Sequence, residues 1–124
     1  MKFRKLLEKG AVVTRGLDGC LFVYPAKAWQ GFAEKVSKLP ISQSDSRAFS
    51  RHMLSGAMAL EIDKQGRAVL PDYLRQFAGV SKKVVVAGLF DRVEIWDEDK
   101  WNQYKNSVEN QSNEIAERMR ELGI

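Results

Sequence analysis

Gly16-Leu17-Asp18-Gly19-Cys20-Leu21-Phe22-Val23-Tyr24-Pro25 is read a second time as Gly88-Leu89-Phe90-Asp91-Arg92-Val93-Glu94-Ile95-Trp96-Asp97. The match extends outward. Trp29 meets Trp101, and Val12-Val13 falls near Val84-Val85. After one inserted residue, Lys2-Phe3-Arg4 lies under Tyr73-Leu74-Arg75. A repeat of this length means one supersecondary unit used twice. The second copy carries a preamble, Met58 to Pro71, and Met1 stands opposite Asp72. The expectation is therefore two units, 1–54 and 55–124, with the front of the first removed.

Each copy has the same internal plan. Ala11–Thr14 and Cys20–Tyr24 are short runs rich in β-branched and aromatic residues, and two glycines lie between them. That pattern predicts a β-hairpin, as does Val84–Ala87 with Val93–Trp96. Pro25 and Asp97 then open helices at equivalent positions, since proline suits a first turn and aspartate an N-cap. Trp29, Phe32, Val36 and Leu39 share a helical face, and Pro40 ends that helix. Trp101, Tyr104, Val108, Ile115, Met119 and Leu122 form a second stripe, broken at Gln111-Ser112. Ser44 or Asp45 can cap a bridging helix lined by Ala48, Phe49 and Met53 and ended by Gly56. These apolar stripes are expected to pack in a core, and the last turns to meet another subunit or fray.

The preamble alternates Met58, Leu60 and Ile62 with Ala57, Ala59 and Glu61, which is strand periodicity. Ala68-Val69-Leu70 is expected to be a second strand. Pro71 starts a short helix with Leu74 and Phe77 inward, and Gly79 stops it.

Between the two expected strands lies Asp63-Lys64-Gln65-Gly66-Arg67. Asp63 can accept backbone N–H bonds and tie the loop's base. Gly66 can take the positive φ of a tight reversal. Lys64 and Arg67 then project as cations. Arg67 can fork onto a phosphate or onto guanine O6 and N7, while Lys64 is a point charge. Lys and Arg beside a polar turn also serve solubility, and these five residues alone leave both readings open.

Composition limits the rest. The chain has 124 residues, 44% hydrophobic and 29% charged, which suits one compact fold. No apolar run reaches the ~20 residues of a membrane span, and no apolar segment follows the basic start as a secretory signal requires. A cytoplasmic protein is the expectation. Cys20 is the only cysteine and His52 the only histidine. Neither a metal-ligand spacing nor a phosphate-cradling glycine loop is visible, so no cofactor, metal or catalytic set is expected. The net charge of +4 is uneven. Residues 1–60 hold ten Lys/Arg against four Asp/Glu, and residues 61–124 hold ten against twelve. The basic half suits a polyanion partner. Arg47 and Arg51 lie four apart in it, on one helical face, where phosphate contact and plain solvation are both open.

Thr14 through Pro25 closely resembles the central signature of the MraZ family of bacterial regulators. Asp63-Lys64-Gln65-Gly66-Arg67 with Leu70-Pro71 resembles that family's D-x-x-G-R-x-x-[IL]-P motif, shared with the wider SpoVT–AbrB class. Phe49–Ala57 and Glu94-Ile95-Trp96 also fit. The resemblance implies an α+β fold of two tandem AbrB-like, swapped-hairpin units forming a small β-barrel flanked by helices. It implies a sequence-specific DNA-binding repressor of the cell-division and cell-wall gene cluster. Such a protein binds short G-rich direct repeats in its own promoter and assembles as a homo-oligomeric ring on the nucleoid. The implied contacts to double-stranded DNA fall on Lys64, Gln65 and Arg67, with Asp63 and Gly66 shaping the loop. Family chains carry another such loop before the Lys-Phe-Arg position. The rival expectation is an oligomeric protein-interaction module with little DNA affinity.

Overall fold

The computed structural model describes residues 7 and 9–124. The expected match of Lys2-Phe3-Arg4 with Tyr73-Leu74-Arg75 lies outside the described residues in its first half. Two hairpins form the centre of the molecule. The first joins β1 (Ala11–Arg15) to β2 (Leu21–Pro25). The second joins β4 (Val84–Gly88) to β5 (Val93–Asp97). A short strand, β3 (Met58–Leu60), pairs with the outer side of β1. The result is a five-stranded antiparallel sheet in the order β3-β1-β2-β5-β4.

The register shows how the repeat is used. Where the hairpins meet, Phe22 pairs with Glu94, its own counterpart in the repeat. Leu21 pairs with Ile95 and Val23 with Val93, each with the other's counterpart. The two copies are thus related by a local twofold between Phe22 and Glu94. The outer strands refine the alignment. Val13 faces Val23 and Val86 faces Ile95, so Val12-Val13 matches Val85-Val86, one residue later than the sequence suggests. The shift is absorbed in the turns. Gly16 N bonds to Cys20 O in the first, and Leu89 N bonds to Arg92 O across a turn one residue shorter in the second.

Each sheet face has its own core. On one face Ala11, Val13, Leu21, Val23, Leu60 and Val93 pack with Leu74 and Ala78 of α3 (Asp72–Ala78). On the other, Cys20, Phe22, Tyr24 and Trp96 pack with Met53. Trp29 and Phe32 of α1 (Ala26–Ser37), Phe49 of α2 (Ser44–Ser55) and Trp101 of α4 (Glu98–Asn110) close over them. Side chains alternate between the two faces along a strand, and the unbroken apolar run Leu21–Tyr24 is buried throughout, so helices are needed on both faces. Each fully buried Leu or Val contributes roughly 1.5–3 kcal/mol.

The helix signals differ in detail from expectation. Asp97 caps α4 by accepting the Lys100 N–H, and Pro25 stands at the same point before α1. Gln43, rather than Ser44 or Asp45, precedes α2, because its carbonyl accepts the first helical bond, from Arg47 N. Ala48 faces solvent instead of lining the core. The helix break falls at Gln111, between α4 and α5 (Ser112–Met119). Beyond it the apolar stripe covers little: Met119 and Leu122 are exposed. Gly79 ends α3 at φ 64°, a conformation that favours glycine.

The preamble forms less sheet than its periodicity suggests. Only Met58–Leu60 is strand, and Ala68-Val69-Leu70 is not a strand at all. Val69 is 88% exposed. A strand needs a ladder partner for its N–H and C=O groups. Among the described residues none forms a ladder with 68–70, so alternation alone cannot make it a strand.

Candidate nucleic-acid interface

The loop at 63–67 leaves the sheet directly after β3 and returns toward α3. Asp63 organises it. Its backbone N–H donates to Arg67 O (2.8 Å), and its carbonyl accepts from Gly66 N (3.0 Å). Its Oδ1 accepts from Gln65 N (2.9 Å) and Arg67 N (2.8 Å). A carboxylate two residues before an amide closes such a turn readily. Gly66 has φ 81°, where a Cβ would be strained.

The cations stand on this frame. Lys64 and Gln65 form the exposed turn, and the Arg67 side chain is 74% exposed. Arg67 Nε donates to Asp63 Oδ2 at 3.2 Å. In water such a pair adds little stability. Its effect is orientation, because it holds the guanidinium by one nitrogen against the loop's own base. All five sequence-predicted residues are therefore in one short segment. Beside them an open groove of about 750 Å³ is lined by Ala59, Glu61, Ile62, Asp63, Arg67, Ala68 and Val69.

Other basic and polar residues have structural partners. Arg47 Nη1 donates to Ile41 O (2.9 Å), so the Arg47–Arg51 pair is not simply two outward cations. Arg15 Nη1 donates to His52 O and Ser55 Oγ, both at 3.2 Å, and its guanidinium lies over the Tyr73 ring. Thr14 Oγ1 donates to Met53 O at 2.6 Å. Together Thr14 and Arg15 satisfy carbonyls of the last turn of α2, where a cation also meets the helix dipole favourably. His52 Nε2 bonds Gly16 O at 2.8 Å, and its ring packs on Phe77. The sequence gives no hint of this cluster, because its members are 36 to 40 residues apart in pairs.

Cys20 is fully buried, and its thiol donates to Leu17 O at 3.2 Å. Burial, with the nearby Glu94 and Asp18 carboxylates, pushes its pKa up to about 12. A thiol so held is a poor nucleophile. Its counterpart Arg92 is only part-buried and binds the buried Glu94 through Nε and Nη2 (3.1 and 2.9 Å). Trp96 Nε1 donates to the other oxygen of Glu94 (3.0 Å), and Arg92 stacks on Phe22. Every charge taken into this core is thereby bonded. Among the described residues no group of three or more His, Cys, Asp or Glu could hold a metal ion. Nor is any described helix long and apolar enough to cross a membrane.

Comparison with known proteins agrees with the repeat. The family model described as "MraZ protein, putative antitoxin-like" matches residues 1–52 and again 53–122. A transcriptional regulator MraZ of Natranaerobius thermophilus is 49% identical over 123 residues, 99% of this chain and 86% of that protein. Its namesake in Clostridium tetani is 45% identical over 123 residues, with the same coverage. That of Carboxydothermus hydrogenoformans is 47% identical over 118 residues, 95% of this chain and 82% of the relative.

Proposed function

This chain belongs to the MraZ family of transcriptional regulators, and on that premise we propose that it represses transcription by binding double-stranded DNA through the loop at 63–67. The observation that carries this reading is the braced turn. Asp63 bonds the loop's backbone at both ends and holds Arg67 by Nε. The Nη1 and Nη2 end is the part of the guanidinium that would meet a guanine edge, and such a bidentate contact discriminates by ~1–3 kcal/mol. Lys64 would contact phosphate, and Gln65 a base edge or phosphate beside it. A single loop gives modest affinity, so the reading includes a homo-oligomer, a ring as expected for the family, that repeats the loop along short G-rich direct repeats. Occupancy of its own promoter upstream of cell-division and cell-wall genes would then exclude polymerase. The protein would act in the cytoplasm, on the nucleoid.

Gel shifts with cognate and scrambled duplexes test the assignment. Arg67→Ala is expected to lower the preference for the cognate repeat by roughly 5- to 150-fold, as loss of ~1–3 kcal/mol implies. A variant that discriminates between the two duplexes as well as the parent would reject the role of Arg67. Oligomers seen by light scattering, with no shift of any duplex at low salt, would favour the interaction-module reading instead.

A further inference from the structure

Arg47 and Arg51 stand on successive turns of α2, outside the loop at 63–67. The link from α1 to α2 folds back toward them. Gln43 N closes a turn on Pro40 O at 3.2 Å, and Arg47 Nη1 donates to Ile41 O at 2.9 Å. Link and helix together line a cavity of about 310 Å³. That is the small end of the range of ligand pockets, roughly 300–1,000 Å³. The polar lining comes from α2. Ser46 and Ser50 lie four apart, as do Arg47 and Arg51, so two hydroxyls and two guanidinium groups form adjacent rows on one helical face. All four can donate, and among the described residues no carboxylate lines the cavity. Like charges at this spacing repel. Yet the Arg51 side chain, Nε and Nη2 of Arg47 and both hydroxyls have no bonding partner among the described residues. The rest of the lining is mainly apolar: Leu39 and Ile41 from the link, and Leu54 one turn beyond Ser50. Ile41 is 80% exposed.

We propose that this cavity binds a small phosphate monoester. Its phosphoryl oxygens meet Arg47, Arg51 and the two hydroxyls, and its carbon skeleton lies on Ile41 and Leu54. Charge selects the head group. A phosphate monoester carries about −1.5 to −2 near neutral pH and three strong acceptor oxygens. That matches a donor set without a carboxylate, in which guanidinium groups can bond two oxygens at once. Pre-organisation favours it too, because the Ile41 carbonyl already holds Arg47 and little side-chain freedom is lost on binding. The apolar lining selects the other end. Bare phosphate would leave Ile41 and Leu54 uncovered, whereas an organic ester removes them from water. Duplex phosphate shares the head-group chemistry, and the test separates the two sources.

Isothermal titration calorimetry of the whole chain, without DNA, with phenyl phosphate and with inorganic phosphate tests the assignment. Phenyl phosphate is expected to bind saturably, about tenfold more tightly than inorganic phosphate. Arg51→Gln is expected to weaken it about tenfold or more, as loss of a charge-assisted bond implies. Ile41→Ser is expected to weaken phenyl phosphate and to leave inorganic phosphate unchanged. Should circular dichroism show that Arg51→Gln disturbs folding, Ser50→Ala is expected to weaken the same ligand in a folded chain. No saturable binding of phenyl phosphate, equal affinity for the two probes, or affinity indifferent to Arg51→Gln and Ser50→Ala would each overturn the proposal. In gel shifts, Arg51→Gln is expected to keep the parent's salt dependence of duplex binding. A shallower dependence would assign Arg51 to DNA phosphate and overturn the proposal as well. The calorimetry stands whether or not the chain binds DNA.

Discussion

Cys20 shows what one buried atom does to a whole stability profile. Its thiol has an ordinary pKa near 9.0 in the unfolded chain, and the folded core pushes it up to about 12. The unfolded chain therefore loses its proton first. The associated stability is complete below pH 9 and falls as pH rises from 9 toward 12. Tyr24, also raised by burial, adds to the same alkaline loss. Urea titrations at pH 8 to 11 are expected to show this decline, and Cys20→Ala is expected to make it shallower. An unchanged slope in the variant would assign the loss to other groups. Gly66 and Asp63 illustrate the opposite case, residues whose effect is on shape: positive φ and a bonded carboxylate were both foreseeable from residue type.

At the scale of elements, the junction of β1 with α2 matters most. The last turn of a helix leaves carbonyls without intrahelical partners. Here Thr14 and Arg15 supply donors to Met53 O and His52 O from a strand 37 to 39 residues away. Thr14→Val keeps the shape of the side chain and removes the donor, leaving a buried carbonyl unsatisfied. The expected cost is about 1–3 kcal/mol. It should appear in denaturant melts as a lower midpoint with an unchanged slope, and Thr14→Ser should recover most of it. If Thr14→Val melts like the parent, that bond does not stabilise the helix end. The same strand explains why His52 and Ser55, three apart near the end of α2, serve packing and bonding.

For the molecule as a whole, the proposed DNA binding carries an expectation about salt. Each phosphate neutralised by a lysine or arginine releases counterions, so affinity falls with salt as log–log slope of about −0.9 per contact. Lys64→Ala is expected to weaken cognate and scrambled duplexes alike and to reduce that slope by about one for each loop in contact. A preserved slope would show that Lys64 does not touch phosphate. The contrast with Arg67→Ala separates holding from reading.

Much of the architecture was legible in residue order. The doubled hairpin, the helix starts at Pro25 and Asp97, the break at Gln111 and the composition of the 63–67 turn all follow from local chemistry: side-chain period, missing or special backbone donors, and φ preference. The strand at 68–70 was not decided there, because pairing depends on a neighbour rather than on alternation. Nor was the offset of one residue in the outer strands, since turn length sets register. The caps that Thr14 and Arg15 give α2 and the placing of Phe22 against Glu94 belong to the tertiary structure alone. They join residues far apart in the chain, and only the folded sheet determines which backbone groups find partners.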